Sequence, residues 1–135
     1  MDDTSQTNTL QDKDPVQSTA IELGKLLDDH RGIDVVIMDM RTLNFWTDFF
    51  IIATVTRNTH LSGLERHIKE FVREKGLEIL HSSRRPEKDD EWRLLDLGGV
   101  VIHLMSTRAR QFFELERLWS AAPQSSVPAH SSKSS

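Results

Sequence analysis

Two strand-like runs separated only by Gly98-Gly99 constrain this chain more than any other feature: Glu91-Trp92-Arg93-Leu94-Leu95-Asp96-Leu97 before it, Val100 to Met105 after it. A two-residue glycine link joins antiparallel strands in a hairpin, because glycine reaches the positive φ of the tight turn without steric cost. The first run alternates, so Trp92, Leu94 and Asp96 fall on one sheet face and Arg93, Leu95 and Leu97 on the other. In the second run His103 shares a face with Val101 and Met105.

Two further strands read as continuous apolar runs, Val35-Val36-Ile37-Met38 within Asp34 to Met40, and Phe49 to Thr54. Such runs suit strands covered on both faces, as in a sheet with helices packed on it. The link Arg41 to Asp48 is too short for a crossover helix, so these two are either an antiparallel pair or separated by another strand, and the antiparallel pair is expected. A short strand is expected at Leu77 to His81, followed by a polar loop from Ser82 to Asp90.

Three helices complete the pattern. Ser18 or Thr19 can cap the first, with Ile21, Leu23, Leu26 and Leu27 on its apolar face and a stop near Gly32. The second starts at Asn58 or Thr59 and repeats Leu61, Leu64, Ile68, Phe71 and Val72 at helical spacing; Glu65 with Lys69 and Arg66 with Glu70 make charge pairs on its exposed side, and Gly76 ends it. Ser106 or Thr107 caps the last, whose buried stripe is Ala109, Phe112, Leu115, Leu118 and Trp119. The order α-β-β-α-β-β-β-α predicts an α/β (α+β) fold, a mixed five-stranded sheet with helices packed on it.

Length sets one domain: 135 residues bury a real core but leave no room for a second module. Residues 1–15 and 121–135 are polar, Ser-rich or Pro-containing and read as disordered tails around a domain at 16–120. The 17 Lys and Arg against 21 Asp and Glu leave a net charge of −4, the wrong sign for a protein whose affinity comes from neutralising phosphates. With no cysteine, thiolate catalysis, disulfides and Cys-based zinc sites are excluded, and a reducing cytoplasm fits. No apolar stretch approaches the roughly 20 residues of a membrane span.

Catalytic patterns are missing. None of the six histidines lies in an H-x-x-x-H or H-E-x-x-H arrangement, and His60 and His67 have no acid at an interval that completes a metal site. Leu61-Ser62-Gly63 lacks the first glycine of a nucleophile elbow, and no glycine-rich turn precedes the Asn58 helix. Asp34, Asp39 and Asp48 stand near strand ends, yet neither strand holds a D-x-D pair of the kind that binds magnesium in nucleotidyl transfer; caps and salt bridges are the commoner roles. No cofactor is expected. What remains is a surface: if open, Trp92 and Leu94 form an apolar anchor with Asp96 as polar partner, the anatomy of a protein-protein contact, although a helix could equally cover the tryptophan. Trp46, in a loop beside Phe45, could cover the core or join that patch, and His103 could fill the sheet or join a contact surface.

The segments DVVIMDMRTLNFWTDFFIIAT (34–54), EWRLLDLGGVVIHL (91–104) and RQFFELERLWS (110–120) resemble, in order and spacing, the successive motifs of the ribosomal silencing factor (Iojap-related) family. That resemblance covers roughly Ile21 to Ser120. It implies a nucleotidyltransferase-like fold without the catalytic residues, a homodimer in isolation, and a non-enzymatic function. Members bind the L-fourteen protein of the large ribosomal subunit and block joining of the small one. Carried over by position, the partner-binding residues are Trp92, Leu94 and Asp96, joined by Asp48 and His103. The chain departs from the family pattern at Val55 to His60, where a G-T-S-x-R-H turn is usual, and at Gly98-Gly99, where G-D is usual. The competing reading is a nucleotidyltransferase-like nucleotide-binding protein using Asp39 and Asp48 with magnesium. Direct RNA binding is a third, opposed by the acidic charge.

Overall fold

The computed structural model describes residues 14–43, 45–83 and 91–127. In chain order the elements are α1 (Pro15–Asp29), β1 (Ile33–Asp39), a 3-10 turn (Arg41–Leu43), β2 (Phe49–Thr54), α2 (Asn58–Glu74), β3 (His81–Ser83), β4 (Trp92–Asp96), β5 (Val100–Met105), α3 (Thr107–Phe113), α4 (Leu115–Leu118) and β6 (Gln124–Ser126). The strands form one mixed sheet in the order β3-β4-β5-β2-β1-β6. Among the described residues β2 and β5 are the neighbouring strands that run parallel; β1 pairs antiparallel with β2, as expected. Between Ile33 and Val36 the register slips by one residue, and Asp34 takes up the bulge with φ 50°.

The hairpin forms as its two glycines require. Leu97 N donates to Val100 O at 2.8 Å, and φ is positive at Gly98 (95°) but not at Gly99, so the first glycine takes a conformation that side chains with a Cβ rarely adopt. Gly99 has a separate reason to be glycine: a Cβ there would lie 2.7 Å from Val16 Cγ1 of α1.

The sheet divides the core in two. On one face α1 (Ala20, Leu23, Leu27) and α2 (Leu61, Leu64, Ile68, Val72) close over Phe49, Ile51, Ala53, Leu95, Ile102 and Leu104. Among the described residues the other face, with Met38, Phe50, Ile52, Val101 and Met105, is covered by Ala109, Leu115 and Ala122 and by half-buried side chains that include Leu43, Phe45 and Trp119. The long helices protect one side of the sheet, and a thin aromatic layer protects the other.

Several expectations are corrected. The first helix is capped by Asp14, whose Oδ1 accepts from Val16 N at 3.0 Å; Pro15 at the first helical position, where no amide donor is needed, moves the start upstream of Ser18. Ile21 points to solvent. The third strand lies at His81–Ser83 and not at Leu77 to His81: its ladder on β4 pairs His81 with Asp96 through Ser83 with Leu94, only Leu80 N reaches back to Asp96 O before it, at 2.8 Å, and Leu77 and Leu80 are exposed. Glu65 is buried, not on an exposed face. It receives the Arg93 guanidinium, an ion pair whose side chains are 10% and 11% exposed, and it ties α2 to β4.

The last helix is broken. Glu114 adopts a left-handed φ of 45°, ending α3 and starting α4, so Phe112 and Leu118 leave the expected stripe and are 77% and 65% exposed. The expected C-terminal tail does not begin at Ala121. Ala122 is buried, and Gln124–Ser126 adds a sixth strand on the free edge of β1, its ladder extended by Asp39 N to Pro123 O and Val127 N to Val35 O, both 2.9 Å. The rest of both expected tails, residues 1–13 and 128–135, lies outside the described residues, as does most of the expected polar loop, 84–90.

Candidate functional site

The alternation of β4 places its two sets of side chains on opposite sides. Leu95 goes under α2 with Arg93, and Trp92 and Leu94 go to the thinly covered face, where both are half-buried. The Arg93–Glu65 pair fixes this choice: slipping β4 by one residue would carry a buried arginine into solvent and strand the buried carboxylate.

Across the ladder Trp92 faces Met105 and Leu94 faces His103. The Trp92 indole Nε1–H donates to His103 Nδ1 at 3.1 Å, and its ring packs on Phe113 of α3, with centroids 4.5 Å apart. His103 is only 4% exposed, with the Phe50 ring edge-on at 4.6 Å. Burial pushes its imidazole down to about 4, so the ring is neutral. Because Nδ1 accepts, the proton sits on Nε2, and Nε2 has no hydrogen-bond partner among the described residues. Leaving a buried N–H unsatisfied costs about 1–3 kcal/mol.

Asp96 and Asp48 lie at the hairpin corner. Asp96 Oδ1 accepts from Gly98 N at 2.8 Å, bracing the turn. The loop before β2 is bound there too: Thr47, buried, donates its hydroxyl to Gly98 O at 2.9 Å, and the Asp48 and Phe49 amides share Gly99 O at 3.1 and 3.0 Å. The structure thus joins Trp92, Leu94 and His103 in direct contact, places Asp96 at the end of the same strand, and brings Asp48 to that end through its backbone.

Aromatic residues extend the face. Phe45 packs against Phe50 and Trp119, with centroids 5.5 and 5.0 Å apart, while Trp46 stacks outside it and is 63% exposed. Of the two roles open to that loop, Phe45 covers the core and Trp46 stays on the surface. Phe112 sits edge-on to Phe113, so an aromatic row runs from Trp92 through Phe113 to Phe112. Sequence reasoning missed this row because it placed Phe112 in the core on the assumption of one unbroken helix.

One of the two carboxylates a magnesium-dependent reading would use, that of Asp39, is engaged elsewhere. Arg41 grips the Asp39 carboxylate through Nε at 2.9 Å and Nη2 at 2.7 Å, and these hydrogen bonds hold it below the usual carboxylate range. His30 and His67 stack at 3.7 Å with His60 Nε2 3.1 Å from His30 O, but among the described residues no group of three His, Asp or Glu is placed to hold a metal ion. A cleft of about 600 Å³ near the start of β1 contains Arg110, whose guanidinium is taken up by Glu116, Thr54 and the Ile33 carbonyl. No described helix is long and apolar enough to cross a membrane.

Comparison with known proteins places the chain among relatives. The family model described as "Ribosomal silencing factor during starvation" matches residues 13–135. Ribosomal silencing factor RsfS of Treponema pallidum is 37% identical over 100 residues, 74% of this chain and 88% of that protein. The chloroplastic protein Iojap of Arabidopsis thaliana is 31% identical over 109 residues, 81% of this chain but 44% of that longer protein. A crystal structure of a Chromobacterium violaceum protein superposes with a TM-score of 0.66 at 28% identity, covering 86% of this chain and 93% of the other. A Bacillus halodurans structure gives 0.66 at 26%, covering 82% and 99%.

Proposed function

The chain belongs to the ribosomal silencing factor family, and from that membership we propose that it represses translation by docking its Trp92 face on the large ribosomal subunit, through the L-fourteen protein, and so blocking the small subunit sterically. The observation that carries the reading is the arrangement of β4: a buried ion pair on one side holds Trp92 and Leu94 half-open on the other, flanked by Phe113 and the exposed Phe112. A ring-lined apolar patch with acids at its rim is what a hot-spot contact needs, and steric blocking requires no turnover. Asp96 and Asp48 are its polar rim; His103 lies beneath it.

The finer parts of the proposal are that the protein acts in the cytoplasm, forms a homodimer in isolation, catalyses nothing, and uses a nucleotidyltransferase-like scaffold without its chemistry. Analytical ultracentrifugation tests the dimer, and calorimetric titration with nucleoside triphosphates and magnesium tests the scaffold; micromolar nucleotide binding would favour the enzyme-like alternative. The docking claim is tested by co-sedimentation with large subunits, where Trp92→Ala is expected to lose binding while keeping the wild-type circular dichroism spectrum. An unfolded Trp92→Ala would make Trp92 a core residue and sink the reading.

A further inference from the structure

His103 is among the positions the family resemblance assigned to the contact, yet it is buried and cannot itself reach a partner. What it does touch is Trp92. Its Nδ1 takes the indole Nε1–H at 3.1 Å, its ring lies 5.9 Å from the indole and 4.6 Å from Phe50, and its other nitrogen bonds to nothing among the described residues. An aliphatic side chain would fill the same space without burying an unsatisfied N–H. The one thing imidazole adds here is an acceptor for the indole.

We propose that His103 is a positioning residue: it holds the Trp92 indole in one orientation, so that a docking partner meets a preset apolar ring and not a hydrogen-bond donor. The inference rests on the docking reading above and sharpens it. With Nε1–H already used, the ring can offer the partner only its π-face and carbon edge, which fits an apolar or C–H-bearing group opposite Trp92 and not a carbonyl or carboxylate. Two contacts restrain the indole, the His103 bond at its nitrogen and the Phe113 ring at 4.5 Å. A side chain held this way loses little rotamer freedom on binding, and that saving appears as affinity.

The experiment compares full-length wild type, Trp92→Ala, His103→Gln and His103→Leu for affinity to purified large ribosomal subunits. Alongside, exchange of the Trp92 indole N–H in the free proteins is followed by nitrogen-15 NMR. Glutamine keeps an acceptor; leucine does not. His103→Leu is expected to bind about tenfold more weakly and His103→Gln within about threefold of wild type, as loss of a preorganised anchor predicts. The wild-type Trp92 N–H should exchange far more slowly than that of exposed Trp46, and His103→Leu should abolish the difference. If Trp92→Ala loses binding while His103→Leu keeps it, the positioning role is wrong and the docking reading survives. If Trp92→Ala binds normally, the docking reading fails first. Should His103→Leu not fold, the wild-type exchange decides: a Trp92 N–H as fast as that of Trp46 overturns the proposal, and a slow one together with binding by His103→Gln supports it.

Discussion

At the residue scale, buried polar side chains set the orientation of the surface. His103 has its imidazole pushed down to about 4 by burial, from the ordinary 6.5. The unfolded chain therefore binds a proton at this position more readily than the folded one, and stability falls as pH drops from about 6.5 towards 4, by roughly 3 kcal/mol for a shift of this size. Urea unfolding at pH 7 and pH 4.5 should show that loss in wild type and a smaller one in His103→Leu; equal slopes would mean that His103 titrates normally. The Glu65–Arg93 pair makes a second test. Glu65→Ala removes the carboxylate that takes up the buried Arg93 guanidinium and is expected to cost about 3 kcal/mol, read as a lower denaturation midpoint. Such pairing was only half legible: Glu65 and Lys69 have helix-surface spacing and do lie 3.7 Å apart, but nothing local marks Arg93, 28 residues away, as the inner partner.

At the scale of elements, the strands and turns that obey local chemistry were readable and those made by their neighbours were not. The Gly98-Gly99 hairpin, the β1–β2 pair and the split of β4 into a Trp92 face and an Arg93 face follow from turn stereochemistry and a period of two. β6 could not be read, since Gln-Ser-Ser carries no apolar pattern and becomes a strand only because β1 offers an unfilled edge. The last helix misled for a related reason: its stripe assumed one unbroken turn sequence, and Glu114 interrupts it in the left-handed region. Glycine has no Cβ penalty there, so Glu114→Gly is expected to be neutral or stabilising by up to about 1 kcal/mol, whereas the same substitution in an intact helix would destabilise; thermal melting separates the two. Phe112→Ala should leave the melting temperature unchanged, because the ring it removes is 77% exposed.

For the whole molecule, the uneven cover of the sheet is what gives it a working side. Two long helices seal one face; the other keeps half-buried and exposed rings within one patch, more than a surface without a partner needs to show. Composition argued against a phosphate-binding face and against thiol chemistry, and the family resemblance nominated Trp92, Leu94 and Asp96 as contact residues. That Asp48 and Asp96 meet at the Gly98-Gly99 corner needed the fold, since backbone bonds from the loop before β2 bring them there. The C-terminal segment belongs to this scale as well. Truncation after Ser120 removes buried Ala122 and strips β6 from β1, and it should lower stability and expose a strand edge prone to self-association, visible by light scattering.

The central claim, that the Trp92 face docks on the large subunit and excludes the small one, is tested most directly by mixing the protein with large subunits, adding small subunits, and following joining by sucrose-gradient sedimentation with Trp92→Ala in parallel. Wild type is expected to co-sediment with the large subunit and to suppress the joined peak while folded Trp92→Ala does neither; a wild type that leaves joining intact, or a Trp92→Ala that blocks it equally well, would overturn the docking reading.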